Sequence, residues 1–158
     1  MTIRPARPAK YDAVGELCVT AYRAAGVGVD SYEATLRDVA GRAAGAEVLV
    51  AHDGAERLVG TVTFVLGGAL REIGTPQEGE FRMLAVDPAA GGRGIGTRLV
   101  EACAERARAA GMTGLVCSSQ PGMLAAHAVY RKLGFVRDPA RDWSPIPGVE
   151  LVAFALVL

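Results

Sequence analysis

Apolar residues recur at three- and four-residue spacing in four segments of the chain, which is the period of amphipathic helices. These segments are residues 8–25, 30–41, 95–110 and 123–133. Glycines follow three of them directly, at Gly26, Gly111 and Gly134, as is typical of helix ends. Asp30 or Ser31 can cap the second segment at its start. The pattern therefore predicts four helices.

Runs rich in β-branched and aromatic residues predict the strands. These runs are residues 2–6, 47–53, 57–66, 80–86, 114–119, 135–138 and 149–158. Asp53–Gly54 joins the second and third runs and indicates a hairpin, and Pro88 stops the fourth because proline donates no ladder hydrogen bond. Residues 67–79 are predicted to form a loop. One strand, two helices, three strands and then alternating elements indicate an α/β or α+β layered domain on a mixed sheet.

Length and composition limit the function classes that need to be considered. A chain of 158 residues fits a single domain, here 1–158. Lys plus Arg balance Asp plus Glu at 17 each, so we expect no nucleic-acid or membrane partner and favour a small neutral or zwitterionic one. The three cysteines show no paired spacing, so we expect buried thiols and no metal site. The N-terminal segment lacks an apolar signal core, which predicts a cytoplasmic protein.

The segment "DPAAGGRGIGTRLV" places four glycines among six residues directly before the third predicted helix. Such a connection is either a plain tight turn or a loop that brings main-chain N–H groups to a phosphate at a helix start. A Walker A loop would need lysine where Thr97 stands, so ATP hydrolysis is not expected. The dinucleotide fingerprint G-x-G-x-x-G also fails, because the glycine spacing is wrong. The residues alone do not decide between a tight turn and a phosphate-binding loop.

The stretch "MLAVDPAAGGRGIGTRLV" resembles the Q/R-x-x-G-x-G/A segment of the GNAT superfamily of N-acetyltransferases, with Gly94 and Gly96 at the two glycine positions. Downstream, "MLAAHAVYRKLGFV" is similar to the family's N-x-x-A-x-x-x-Y-x-x-x-G-F helix, with Tyr130 at the tyrosine position. Gly91 stands where Gln or Arg is usual, and Met123 where Asn is common. The resemblance extends from about residue 46 to the end of the chain.

The resemblance implies the acyl-CoA N-acyltransferase fold, a mixed and mostly antiparallel sheet of six to seven strands with about four helices. It also implies acetyl-CoA as cofactor and a small-molecule or peptide amine as acceptor. The implied cofactor-binding residues are Leu84, Ala85, Val86, Gly91, Gly92, Arg93, Gly94, Ile95, Gly96, Thr97 and Tyr130. Family habit further suggests a homodimer.

Acetyl transfer to an amine needs a base, a polarised carbonyl and an acid for the leaving thiolate. By resemblance, Glu80 is the catalytic base, with Glu78 and Glu72 as alternatives; a solvated strand-end residue is the other reading of Glu80. A main-chain N–H near Leu84 or Ala85 would polarise the carbonyl, as an oxyanion hole does. Tyr130 is the implied catalytic acid, and a core tyrosine packed on the aromatic residue of the G-F pair is its structural alternative.

The acceptor itself is left open by the sequence. In the family, the first two helices and two loops, here residues 67–79 and 139–148, select the substrate. These loops mix both charges with small residues, so small amines, amino acid derivatives, antibiotics and protein amines all remain candidates. A catalytically idle acyl-CoA-binding sensor is the alternative function, because two motif positions depart from the family pattern.

Overall fold

A computed structural model describes residues 1–158 and contains five α-helices and eight strands. The helices are α1 Tyr11–Ala24, α2 Glu33–Arg37, α3 Val39–Ala43, α4 Ile95–Ala109 and α5 Leu124–Lys132. The strands are β1 Thr2–Pro5, β2 Glu47–His52, β3 Leu58–Val65, β4 Glu78–Val86, β5 Gly114–Ser119, β6 Val136–Arg137, β7 Trp143–Ile146 and β8 Val149–Val157. The predicted fold class, an α/β layered domain on a mixed and mostly antiparallel sheet, is confirmed.

The strands form one sheet in the order β1-β2-β3-β4-β5-β8-β6, and β7 adds to β8. All neighbouring strands are antiparallel except β4 and β5, which run parallel. That parallel pairing joins only Glu78–Phe81 to Gly114–Cys117. Beyond Phe81 the two strands have no further ladder pairs, so the middle of the sheet opens into a gap.

Strand β4 carries a bulge next to this gap. Thr61 and Thr63 of β3 pair with Ala85 and Arg82, so β4 has one residue more than its partner over this stretch. Met83 lies within it at a φ of +54°, a left-handed conformation that is uncommon for a residue with a side chain.

Apolar side chains fill both sides of the sheet. Phe81, Leu99 and Leu115 are fully buried on the α4 side. On the other side, Val19 of α1 and Leu36 of α2 pack against the bulge. The predicted stripe of α4 is confirmed: Ile95, Leu99, Cys103 and Ala107 are all buried.

Helix α4 approaches the main chain of β3 closely. A Cβ atom built on Gly60 would lie 2.8 Å from Ile95 Cγ2 and 2.9 Å from Leu99 Cδ1, so only glycine leaves room for this contact. The contact brings the first turn of α4, which follows the glycine-rich loop, directly against β3.

Local structure differs from the sequence-based expectations in three places. The predicted second helix is split at Asp38, whose ψ of +63° breaks it and whose carboxylate accepts the Gly41 N–H at 3.0 Å, capping α3. The β2–β3 hairpin is confirmed, but its turn spans residues 53–57, with Asp53 accepting N–H groups of two later residues. Strand β7 was not predicted, because Pro145 and Pro147 interrupt its pattern.

The cysteines are buried and unpaired, as expected. None of the helices combines the length and the apolar character that crossing a membrane requires.

Candidate active site

The glycine-rich loop after β4 leaves main-chain N–H groups free. Gly92 and Gly94 have φ values of +79° and +74°, which glycine adopts at little cost. Residues 91–94 donate no main-chain hydrogen bond, and the first bond of α4 runs from the Arg98 N–H to the Gly94 carbonyl at 3.0 Å. The N–H groups of residues 95–97 therefore face out of the positive end of the helix. This row of donors is suited to an anion such as a diphosphate.

A cavity of about 340 Å³, here called the glycine-loop cavity, lies beside these donors. It is lined by Ala21, Ala25, Leu84, Ala85, Val86, Ala90, Gly91, Gly92, Gly94, Ile95, Gly96, Thr97, Met123, Ala125, Ala126 and Val129. Nine of the eleven predicted cofactor-binding residues are among them. Arg93 and Tyr130 are not: Arg93 is exposed, and Tyr130 is buried in the core.

The wall contributed by α1 and α5 was not predicted. Ala21 lies in the last turn of α1 and Ala25 directly follows that helix, and Ala125, Ala126 and Val129 come from α5. Small side chains keep this space open between the two helices. The alanine-rich stretch "LAAHAV" at residues 124–129 is the only signal in the sequence for it, and alanine there also fits an ordinary helix.

The open edge of β4 forms the inner end of the cavity. Leu84, Ala85 and Val86 lie after the last β4–β5 pair, so their main-chain groups on that side have no strand partner. Main-chain polar groups that lack a partner bind water or a ligand. The gap thus provides a row of hydrogen-bonding groups alongside the apolar lining of the cavity.

Tyr130 sits in an aromatic cluster at the base of the gap. Its ring centroid lies 5.6 Å from that of Phe81, 5.8 Å from Phe135 and 5.3 Å from Phe154. The side chain is only 3% exposed, and burial raises the pKa of the phenol well above its usual value near 10. The packing against Phe135 that the structural alternative predicted is present. The phenol is therefore a protonated group in a fixed position.

The Tyr130 hydroxyl lies close to the end of β5, beside Ser119 and Cys117. Ser119 Oγ in turn lies 3.1 Å from Nε2 of His127, which is buried. Burial lowers the pKa of His127, so this imidazole is neutral near pH 7.

Glu80 is buried, at 2% exposure, rather than solvated, so the reading of a solvated strand-end residue is wrong. Its Oε2 accepts the Glu72 N–H at 3.0 Å, and its Oε1 accepts the N–H groups of Ile73 and Gly74 at 3.0 and 2.8 Å. Three donors satisfy the carboxylate and hold the loop of residues 72–74 against β4. Main-chain N–H groups therefore already occupy both oxygens of this carboxylate.

The two other candidate carboxylates differ in their surroundings. Both oxygens of Glu78 contact Arg141, at 2.7 and 3.0 Å, and this pairing lowers the pKa of Glu78. Glu72 Oε1 lies 2.7 Å from Arg82 Nη1, and burial raises the pKa of Glu72 despite that contact.

A second cavity of about 350 Å³, here called the polar cavity, lies on the other side of the bulge. Glu72 lines it, whereas Glu78 and Glu80 do not. Helices α2 and α3, Leu70 and the tip of the β7–β8 hairpin form its remaining walls. The two loops that the family resemblance associates with the acceptor thus meet at one cavity.

Comparison with known proteins supports the same fold and family. The family model described as "Acetyltransferase (GNAT) family" matches residues 14–135, which is most of the chain. An IAA acetyltransferase of Azospirillum brasilense is 39% identical over 70 residues. That match covers 44% of this chain and 46% of the relative, so it spans less than half of the relative's length.

Two solved structures illustrate the fold similarity. An acetyltransferase of the GNAT family from Staphylococcus aureus Mu50 superposes with a TM-score of 0.78 at 14% identity, over 99% of this chain and 98% of that chain. The yncA protein of Salmonella typhimurium, solved with its cofactor acetyl-CoA, superposes with a TM-score of 0.66 at 24% identity, over 100% and 94% of the two chains.

Replacement of Gly96 by alanine should separate stability from ligand binding. The new Cβ would lie 3.6 Å from Val129 and 3.7 Å from Val86, which is ordinary contact, and alanine is the better helix former. We expect the free energy of unfolding in urea to stay equal or rise by up to about 1 kcal/mol. Acetyl-CoA affinity in calorimetry should fall at least about tenfold, because the methyl group enters the cavity beside the free N–H donors.

Gly28→Ala is the matched control, since a Cβ at Gly28 meets nothing within 4 Å. Undiminished affinity in Gly96→Ala would show that no ligand approaches this part of the helix start.

Proposed function

Because the chain belongs to the GNAT acetyltransferase family, we propose that it transfers the acetyl group of acetyl-CoA to a primary amine of a small molecule or peptide by direct attack on the thioester. The family uses acetyl-CoA as its cofactor. One observation carries the proposal: the row of free N–H groups at residues 91–97 and the open edge of β4 line the same cavity.

The residues of the glycine-loop cavity fit this cofactor in charge and shape. The N–H groups of residues 91–97 would hold the diphosphate at the positive end of α4. The unpaired main-chain groups of Leu84 and Val86 would pair with the amides of the pantetheine arm, as a further strand does. Small side chains on α1 and α5 leave room for that arm. The exposed Arg93 is placed to meet a phosphate at the mouth of the cavity.

Acetyl-CoA, when bound, supplies the thioester that the amine attacks. We assign the main-chain N–H near Leu84 or Ala85 to the thioester oxygen, because it lies at the bulge and lacks a strand partner on the gap side. Tyr130 donates the proton that the departing sulfur needs. Burial keeps its phenol protonated throughout the neutral range, so the proton is present on the hydroxyl when the thiolate leaves.

We propose that the acceptor amine enters from the polar cavity. Glu72 lines that cavity, and its raised pKa makes it a better proton acceptor than an exposed glutamate. Glu80 then acts by holding the loop that carries Glu72, since three main-chain N–H groups already occupy its carboxylate. We therefore assign to Glu72 the base role that the resemblance implied for Glu80. Glu72 removes the proton from the amine directly or through water.

Thiol release from acetyl-CoA, measured across a panel of primary amines, tests the proposed function. We expect acceptor-dependent release for at least one class of amine, with acetylated product identified by mass spectrometry. Tight acetyl-CoA binding without acceptor-dependent release would instead favour the idle sensor, for which the departures at Gly91 and Met123 are the sequence argument.

Removal of the phenol should lower turnover and spare cofactor binding. Tyr130→Phe keeps the aromatic contacts and deletes the proton donor, and general acids contribute about 100-fold or more to rate. We expect kcat to fall by about that factor in steady-state assays, while the acetyl-CoA dissociation constant changes less than about threefold. Unchanged kcat would remove Tyr130 from the acid role.

The carboxylate roles are separated by Glu72→Gln and Glu80→Gln. A base must be unprotonated, so wild-type kcat/KM should fall as pH drops through the raised pKa of Glu72, above the usual glutamate range. We expect Glu72→Gln to abolish this acidic limb. Glu80→Gln should keep the limb but lose about 1–3 kcal/mol of unfolding free energy, because an amide NH₂ would face main-chain N–H groups.

The reverse outcome, in which the acidic limb disappears with Glu80→Gln and persists with Glu72→Gln, would assign proton removal to Glu80.

A further inference from the structure

The polar cavity adjoins the bulge at which the thioester would be polarised. Met83 lines the polar cavity, and the next two residues, Leu84 and Ala85, line the glycine-loop cavity. A small molecule in the polar cavity therefore lies one residue along β4 from the reacting end of the other cavity. The charged groups around it determine which molecules bind there.

Arg42 is a buried cation without a counter-ion. Its side chain lines the polar cavity, and the residue is only 5% exposed. Nη1 donates to the Thr35 carbonyl at 2.6 Å and Nη2 to the Leu36 carbonyl at 3.1 Å, which holds the end of α2. No carboxylate lies within ion-pair distance, and the buried Nε has no hydrogen-bond partner. Burial without a counter-ion lowers the pKa of this guanidinium.

Arg82 supplies the second guanidinium of the polar cavity, and only some of its N–H donors have a partner. Nη1 lies 2.7 Å from Glu72 Oε1, and the side chain is 13% exposed. Its Nε is also buried and unpartnered. A carboxylate binds a guanidinium best through two parallel N–H donors, and Arg82 makes a single close contact of that kind.

Positive charge therefore exceeds negative charge in the buried part of the polar cavity. Two guanidinium groups face one carboxylate, that of Glu72. The other acid, Asp38, lies at the exposed rim and accepts the Gly41 N–H. A buried positive charge without a counter-ion is costly, and one anionic group between the two arginines would balance it.

We propose that the acceptor is an amine whose carbon skeleton also carries a carboxylate, as in a free α-amino acid. The carboxylate lies against Arg82 and Arg42, and the amine lies beside Glu72, on the side of the bulge. A cavity of about 350 Å³ accommodates a molecule of this size. This assignment rests on the proposed function, because it identifies the polar cavity as the acceptor site.

Matched acceptors test the proposal. Leucine, methionine and phenylalanine are each compared with the corresponding carboxamide and the corresponding decarboxylated amine, with acetyl-CoA and a thiol-release assay. We expect at least one amino acid to exceed both of its partners in kcat/KM by about tenfold or more, since an acceptor that lacks the carboxylate leaves the positive charge of the two arginines unbalanced. Equal or lower kcat/KM for every amino acid overturns the proposal.

Variants of Arg82 test whether this residue causes the preference for acceptors that carry a carboxylate. In Arg82→Gln the ratio of kcat/KM between amino acid and carboxamide should collapse to less than about threefold, mainly through KM, and Arg82→Lys should retain part of it. Arg108→Gln, an exposed arginine on α4, is the matched control and should keep the full ratio. Thermal unfolding confirms that each variant is folded. A ratio that persists in Arg82→Gln contradicts the proposed contact.

An equilibrium measurement keeps this test independent of turnover. Calorimetry compares the N-acetyl amino acids with their N-acetyl carboxamides, and the carboxylates should bind more tightly in the wild type but not in Arg82→Gln. Loss of turnover with all amines, together with undetectable acetyl-CoA binding, would overturn the proposed function and leave this comparison intact. Turnover of amines without any carboxylate preference would overturn only the acceptor class.

Discussion

The early end of the parallel pairing between β4 and β5 is the constraint on which the site depends. After Phe81 and Cys117 the two strands lose their shared ladder, and the bulge at Met83 shifts the register of β4 against β3 by one residue. Main-chain groups cannot stay unpaired in a protein interior, so this edge must meet solvent or a ligand. The bulge also lies between two cavities, which adjacent residues of β4 line.

Packing on the α4 side of the sheet surrounds the gap. The rings of Phe81, Tyr130, Phe135 and Phe154 tie α5 to the sheet and place the tyrosine hydroxyl beside the end of β5. On the same side, the absence of a side chain at Gly60 lets the first turn of α4 rest on β3. The aromatic cluster and the helix contact thus position the acid and the N–H donors independently of any ligand.

Much of the fold and one half of the site could be predicted from sequence. The glycines before α4 and the period of its apolar stripe are local signals for the loop and the helix, and the family resemblance that includes these glycines implied nine of the residues that line one cavity. Local signals also placed the hairpin of β2 and β3 and the tyrosine of α5.

The other half depends on contacts between distant residues. Nothing near Glu80 in sequence shows that three N–H groups of a preceding loop surround its carboxylate. Arg42 and Arg82 are 40 positions apart, and only the packing of the α2–α3 segment against the sheet brings them to one cavity. The split at Asp38 likewise results from a side-chain cap that competes with helix continuation, which the apolar period does not record.

Amide NMR during titration with coenzyme A tests most directly whether free main-chain donors at the gap form the cofactor site. The amide signals of residues 91–97 and of Leu84 to Val86 should shift together and saturate with a single dissociation constant, with the largest downfield changes at the start of α4. A titration that leaves these amides unmoved, or that shifts only amides elsewhere on the surface, would contradict the account.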